Sequence, residues 1–123
     1  MEEENGALIG FEKAKIGELI VDLWRIKRRA ERDNAESTLL ACERAIDRVH
    51  DMGFRFDELI GKPYDVNMRV RVVHQEGGAT NQQIAECLSP AVYFQKSGAD
   101  SEDLIKTAEV VIRGGEERGT TNG

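Results

Sequence analysis

The sequence predicts an α+β fold in which a helical hairpin precedes a small antiparallel β-domain. Apolar residues recur at helical spacing over residues 16–30 and alternate at strand spacing over residues 68–73. Between the two patterns lies a junction segment, residues 61–67, with the sequence Gly-Lys-Pro-Tyr-Asp-Val-Asn. Because Gly61 frees the backbone and Pro63 fixes φ, this segment turns the chain. We interpret it as a hinge between a helical stalk and a β-head.

The composition restricts the class of protein. The chain has 123 residues, of which 40% are hydrophobic and 33% charged, and its net charge of −6 argues against nonspecific nucleic-acid binding. No apolar run approaches the ~20 residues that a membrane span needs. The acidic N-terminus is neither a secretory signal nor a basic transit peptide, so we expect a cytoplasmic protein. Cys42 and Cys87 lack a metal-type spacing and are expected to be reduced thiols.

Helical periodicity predicts a first helix over residues 9–32, after a disordered stretch at residues 1–8. Its apolar stripe, at spacings of three and four, consists of Ile16, Leu19, Leu23, Ile26 and Ala30. Ile20, Val21 and Trp24 widen this stripe beyond what a lone surface helix needs. We therefore expect the helix to bury two flanks, as helices do in a bundle.

A second helix is predicted over residues 34–52. Asp33 followed by Glu36 has the form of a capping box, and Gly53 has the form of a C-terminal stop. One continuous helix with a polar patch at residues 31–38 remains the alternative, because Ala35 and Glu36 are good helix formers.

Two short helices cannot bury all of this apolar surface by themselves. The sequence therefore predicts that residues 9–53 form a dimerisation region, in which two hairpins pair by two-fold symmetry into a four-helix bundle. The expected interface residues are Ile16, Leu19, Leu23, Ile26, Leu39, Ile46 and Val49.

Residues 54–114 are predicted to form the β-domain, followed by a disordered tail at residues 115–123. Strands are expected at residues 68–73, 84–88, 91–95, 104–105 and 108–113, with a polar loop from 96 to 103. Gly77 and Gly78 are interpreted as a hairpin turn. Short strands with turns every eight to twelve residues indicate a small antiparallel sheet or barrel.

No catalytic or metal-binding constellation is evident in the sequence. His50 and His74 have no Cys or His partner at a ligand spacing, and no phosphate-binding loop or nucleophile elbow is present. The basic residues between 25 and 32 could bind nucleic acid, but Glu31 and Asp33 interrupt them and they suit the negative end of a helix dipole. We expect a binding or regulatory protein that needs no metal or cofactor, rather than an enzyme.

Four segments follow one another at a characteristic spacing: the helix end at residues 45–53, the junction segment, Ile-Ala-Glu-Cys-Leu at 84–88 and the closing stretch at 104–112. Their order and spacing resemble the GrpE family of nucleotide exchange factors for DnaK-type chaperones. The resemblance covers roughly residues 18–114. It implies a homodimer with a helical bundle and two β-domains, one of which opens the chaperone's nucleotide cleft so that ADP leaves. No covalent chemistry is involved, since the partner is distorted by differential binding to its open state.

The resemblance also assigns chaperone contacts by position, to Tyr64, Leu88, Lys106 and Ile112. Ordinary β-core remains the alternative for Leu88 and Ile112, and packing at the junction is the alternative for Tyr64.

Three features depart from the family pattern. The long N-terminal coiled coil is missing, Pro-Ala-Val-Tyr at 90–93 replaces a Gly-Tyr, and Glu102 with Asp103 replaces a basic residue. An acidic residue there would reverse the sign of one contact to the chaperone. The alternative function is therefore a GrpE-like dimerisation and protein-interaction module without exchange activity.

Overall fold

The computed structural model describes the backbone of residues 2–115 and the side chains from residue 12 to residue 115. It confirms the predicted α+β class, with two helices followed by two small sheets. The helices are α1 (Glu2–Arg32) and α2 (Glu36–Asp51). The strands are β1 (Phe54–Asp57), β2 (Val70–Glu76), β3 (Thr80–Ser89), β4 (Ala91–Phe94), β5 (Asp103–Lys106) and β6 (Ala108–Gly115).

The chain forms two compact units that interleave along the sequence. The first unit contains residues up to 56 and residues 92–106, and therefore both helices and the sheet with strand order β1-β4-β5. The second unit contains residues 57–91 and residues from 107 onward, with the sheet order β2-β6-β3. The predicted division into a helical region 9–53 and a β-domain 54–114 differs from this arrangement, because three short strands group with the helices.

Helix α1 begins at Glu2 rather than at Ile9. The expectation that residues 2–8 lie outside the helix was therefore wrong, because the high helix propensity of Glu, Ala and Leu outweighs the single Gly6. At the other end of the chain β6 continues through Gly115. The rest of the predicted tail, residues 116–123, lies outside the described residues.

Helix α1 ends in a Schellman turn at Asn34. This residue has a φ of 55°, in the left-handed region that Asn tolerates better than most residues. The Asn34 N–H donates to the Glu31 carbonyl at 3.3 Å and the Ala35 N–H donates to the Ala30 carbonyl at 2.9 Å. These two hydrogen bonds satisfy carbonyls that the end of the helix leaves without partners.

Helix α2 starts without the predicted capping box. Its N-cap is Ala35, which makes no side-chain cap hydrogen bond, so the roles predicted for Asp33 and Glu36 were wrong. The polar residues at 33–34 end one helix instead of beginning the next. The prediction of two helices is confirmed, and the continuous-helix alternative is excluded.

The predicted stop at Gly53 is confirmed. Its φ is +99°, and its N–H donates to the His50 carbonyl at 2.9 Å. A Cβ at this position would lie 2.7 Å from the carbonyl oxygen of Gln95, the residue that follows β4. Only glycine therefore fits both the backbone conformation and the close approach.

The core of the first unit lies between α1 and its sheet. Ile20, Val21, Phe54 and Val92 are buried together. Ile16, Val49, Phe56, Phe94 and Ile105 pack against this cluster. Gly17 lets α1 approach β5, since a Cβ there would lie 3.1 Å from Ile105 Cγ2.

The second unit is built around β6, which pairs parallel with β2 and antiparallel with β3. The prediction of a purely antiparallel sheet was therefore wrong, and so was the hairpin turn at Gly77 and Gly78. These glycines connect strands that both pair with β6 and not with each other. Gly77 has a φ of +75°, and the Gly78 N–H donates to the Gly115 carbonyl at 3.0 Å.

The junction segment is bound along the edge of β3 and does not act as a hinge. Pro63 pairs with Gln83 in an antiparallel bridge. Backbone hydrogen bonds on either side join Gly61 N to Ile84 O (2.8 Å), Ile84 N to Lys62 O (2.9 Å) and Tyr64 N to Gln82 O (2.9 Å). The segment is therefore part of the second unit, and the hinge interpretation was wrong.

Candidate protein-interaction surfaces

An apolar groove runs between α1 and α2 in the first unit. It has a volume of about 230 Å³ and is lined by Leu19, Ile20, Asp22, Leu23, Ile26, Ala45 and Val49. Leu19 is 62% exposed and Ile26 is 50% exposed, although both belong to the apolar stripe of α1. Full burial of such a side chain contributes ~1.5–3 kcal/mol. A partner that covered the groove would therefore gain binding free energy by burying these two side chains.

The residues predicted for the dimer interface fall into two groups. Those that line the groove are Leu19, Leu23, Ile26 and Val49. The others lie elsewhere: Ile46 is 8% exposed, Ile16 packs against the first unit's core, and Leu39 is half-buried. Ile46 is thus already covered by its own chain.

The apolar stripe of α1 is split between two environments. Ile20, Val21 and Trp24 are buried in the chain's own fold, while Leu19 and Ile26 face outward. The expectation that this helix buries two flanks is met on one side only in the single chain. One flank packs internally and the other forms a wall of the groove.

Basic residues near the end of α1 lie close to acidic or aromatic residues of the same helix. Arg25 lies 3.6 Å from Asp22, Lys27 lies 3.2 Å from Glu31, and the Arg28 guanidinium lies 4.7 Å from the centre of the Trp24 ring. Exposed pairs of this kind contribute little to stability. They favour a solvated helix end over a nucleic-acid site.

Three of the predicted chaperone contacts lie in the second unit, but only one is well exposed. Leu88 is 43% exposed, whereas its neighbours Cys87 and Ser89 are buried. Successive side chains of a strand point to opposite faces of the sheet, which accounts for this difference. Tyr64 is half-buried on the junction segment. Ile112 is 2% exposed and lies opposite Ile84. The assignment of Ile112 as a surface contact was therefore wrong, and the alternative, that Ile112 belongs to the β-core, is correct.

The fourth predicted contact, Lys106, is half-buried at the end of β5 and belongs to the first unit. It pairs with Val92 in the sheet.

A turn at the end of the junction segment presents an apolar side chain that was not selected as a contact. The Asp65 carboxylate accepts the Asn67 N–H at 2.8 Å, and its carbonyl accepts the Met68 N–H at 2.9 Å. This Asx turn holds Val66 at 82% exposure. An apolar residue flanked by Asp and Asn in a turn was the signal that could have identified it.

Glu102 is held by an arginine of its own unit. Arg55 Nε donates to Glu102 Oε2 at 2.6 Å and Nη2 donates to Oε1 at 2.8 Å. The guanidinium also lies 4.2 Å from the centre of the Tyr93 ring. The charge of Glu102 is therefore compensated locally, which weakens the expectation that Glu102 reverses the sign of a chaperone contact.

The hydrogen bond from Arg55 lowers the pKa of Glu102 below its ordinary value of 4.5, against an opposing effect of desolvation. The pair therefore stabilises the folded chain fully above about pH 5.5, and this contribution disappears as the pH falls from 4.5 through the lower folded pKa. We expect Glu102→Gln to lower the free energy of unfolding by up to about 1 kcal/mol at pH 7 and by less at pH 3. Urea titrations at both pH values measure this, and an equal loss at the two would contradict it.

In the part of the chain that the structure describes, no three His, Cys, Asp or Glu side chains are grouped to hold a metal ion. Among the same residues, no helix is long and apolar enough to cross a membrane. Cys42 and Cys87 are buried thiols that form no disulfide.

The fold and its surfaces define an α+β protein with an apolar helical groove and a separate three-stranded sheet edged by the junction segment. Comparison of the chain with protein-family models, with curated proteins and with solved structures found no match.

Proposed function

We propose that this chain is a co-chaperone that acts as an adenine-nucleotide exchange factor for a DnaK-type chaperone. It binds the chaperone's nucleotide-binding domain and promotes ADP release. The observation that carries the proposal is the junction segment, whose GrpE-like sequence is bonded along β3, the strand that exposes Leu88. We place this activity in the cytoplasm, in keeping with two buried thiols.

The groove between α1 and α2 supports a homodimer as the working form. Leu19 and Ile26 remain half or more exposed in a single chain, and a second hairpin placed on the groove would cover them. Two facing hairpins make a four-helix bundle, the simplest way to bury such a surface. This dimer and its bundle are part of the proposal.

The exchange step needs no reacting group, because binding energy alone can shift the chaperone between states. A factor that binds the open nucleotide cleft more tightly than the closed one accelerates ADP release. Each ~1.4 kcal/mol of differential binding corresponds to about tenfold in population. Leu88 lies on β3 where its register against β6 shifts between Cys87 and Ser89, and it is 43% exposed. It is suited to this role, since full burial of an exposed leucine contributes ~1.5–3 kcal/mol.

The test is release of labelled ADP from a DnaK-type chaperone, followed by stopped flow with and without this chain. We expect the chain to accelerate release and Leu88→Ala to reduce the acceleration about tenfold at subsaturating concentration. The matched control is Val73→Ala on β2, because Val73 is 46% exposed but is not an assigned contact. Unchanged acceleration by Leu88→Ala would contradict the assignment of Leu88.

A second candidate function is a GrpE-like dimerisation and interaction module that lacks exchange activity. It is favoured by two placements: Ile112 is buried, and Lys106 belongs to the first unit. Chaperone binding without acceleration, or no binding, would support this function over exchange.

A further inference from the structure

We propose that Asp57 is a positioning residue for the partner-contact surface of the second unit. Its carboxylate fixes residues 59–62, the entry turn, through which the chain passes into the junction segment. The inference rests on the proposed function, because the junction segment carries Tyr64, one of the contacts assigned to the chaperone. Asp57 acts through the backbone of the entry turn and need not touch the chaperone itself.

Leu59 has a backbone conformation that leucine rarely adopts. Its φ is 64°, in the left-handed region where the Cβ of an L-residue lies too close to the following carbonyl oxygen. Leucine has no polar side-chain group that could bond to the local backbone, as Asn and Asp have, and the side chain of Leu59 is only 7% exposed. The surrounding structure must therefore hold Leu59 in this conformation.

The carboxylate of Asp57 contacts both ends of the entry turn. Oδ1 accepts the Leu59 N–H at 2.9 Å, and Oδ2 lies 3.5 Å from Lys62 Nζ. The Lys62 N–H closes the turn by donating to the Leu59 carbonyl at 3.1 Å, and Gly61 has the positive φ, +88°, that a type II turn needs at its third residue. Because a charged acceptor strengthens a hydrogen bond and an exposed ion pair contributes little, the bond to Leu59 is the main point of attachment.

The entry turn also determines where the junction segment begins on β3. The Gly61 N–H donates to the Ile84 carbonyl at 2.8 Å, and the Ile84 N–H donates to the Lys62 carbonyl at 2.9 Å. The next hydrogen bond along the segment joins the Tyr64 N–H to the Gln82 carbonyl at 2.9 Å. The entry turn therefore fixes the start of the hydrogen-bonded segment that positions Tyr64.

Nuclear magnetic resonance of the Asp57→Ala variant tests this role. A strong nuclear Overhauser effect between the N–H and Hα protons of one residue marks a positive φ, and the unmodified chain should show it at Leu59. We expect the variant to lose most of this signal, because a left-handed leucine is disfavoured about 10-fold once the bond is gone. The amide signals of Gly61 and Ile84 should shift with it. Retention of the full signal at Leu59 would overturn the inference.

Two further variants separate this role from a general loss of charge. Asp57→Asn keeps an oxygen that can accept the Leu59 N–H, so it should retain the signal at Leu59. Asp65→Ala removes a bond of the same kind at the other end of the junction segment, where the Asp65 carboxylate accepts the Asn67 N–H at 2.8 Å. It should leave Leu59 unchanged. Loss of the Leu59 signal in either variant would overturn the assignment to the hydrogen bond between Asp57 and Leu59.

Release of labelled ADP tests the link to the partner. If about one molecule in ten keeps the entry turn, the concentration of Asp57→Ala that gives half-maximal acceleration should rise ~10-fold. Acceleration at saturating concentration should be unchanged, because binding then restores the turn. An unchanged half-maximal concentration in a variant whose Leu59 has relaxed would overturn the link to the contact surface. If the unmodified chain does not accelerate release, the proposed function fails, while the signal at Leu59 still decides whether Asp57 fixes the entry turn.

Discussion

Alanine at position 114 is expected to lower the free energy of unfolding of the second unit by about 3 kcal/mol or more, because two stretches of backbone meet there. A Cβ on Gly114 would overlap the Gly78 carbonyl group, which has no side chain to rotate away. The N–H of the same Gly78 donates to the carbonyl of Gly115, so moving Gly78 also breaks a hydrogen bond to the last residue of β6. Urea unfolding followed by circular dichroism measures the loss, and hydrogen exchange should locate it in β3 and β6.

The matched control is Gly98→Ala in the loop between β4 and β5. Gly98 has a φ of +84°, but a Cβ there would have no neighbour within 4 Å. Its expected cost is therefore only the ~1 kcal/mol of a left-handed alanine. Losses of the same size at positions 98 and 114 would contradict the packing explanation.

The local elements were predictable because their signals lie within a few residues. The spacing of Ile20 and Trp24 indicates a helix. Gly53 marks the end of the next helix because glycine readily adopts the positive φ found after a helix C-terminus. The turn at Asn34 was harder. Asp33, Asn34 and Glu36 suit the end of one helix as well as the start of another, and hydrogen bonds to Glu31 and Ala30 decide between the two.

The sheet topology could not be predicted because it depends on contacts far apart in sequence. Alternation over residues 68–73 indicates a strand but does not reveal that β2 pairs with β6 in parallel. The burial of Val110, Val111 and Ile112 in succession is typical of a central strand. The placement of Ile112 in the core follows from that central position.

The groove was only partly predictable, again because its position depends on contacts between residues far apart in sequence. The sequence shows that the apolar stripe of α1 is too broad, but not which edge its own chain will cover. Leu19 and Ile20 differ by ~100° around the helix, and only the packing of Phe54 and Val92 against Ile20 makes Leu19 the outward residue. Some residues predicted for the dimer interface, such as Ile16, therefore pack against the chain's own core instead of lining the groove.

Replacing both Leu19 and Ile26 by glutamate is expected to convert the proposed dimer to a folded monomer at micromolar concentration. Full burial of such a side chain contributes ~1.5–3 kcal/mol, and about half of this remains to be gained at each position, so the four side chains of a dimer amount to about 3–6 kcal/mol. Loss of this amount raises the Kd at least ~100-fold. Because both side chains are already exposed in the single chain, the monomer should keep its fold. Sedimentation and circular dichroism test these two expectations separately.

Leu40→Glu is the matched control for this double substitution. Leu40 is 49% exposed on α2 but does not line the groove, so its replacement should leave the dimer intact. Loss of the dimer in this control, or its persistence in the double variant, would contradict the assignment of the interface. Leu88 lies in the second unit, so the monomeric variant should still accelerate ADP release at saturating concentration. That result would make the proposed self-association and the proposed exchange activity separable.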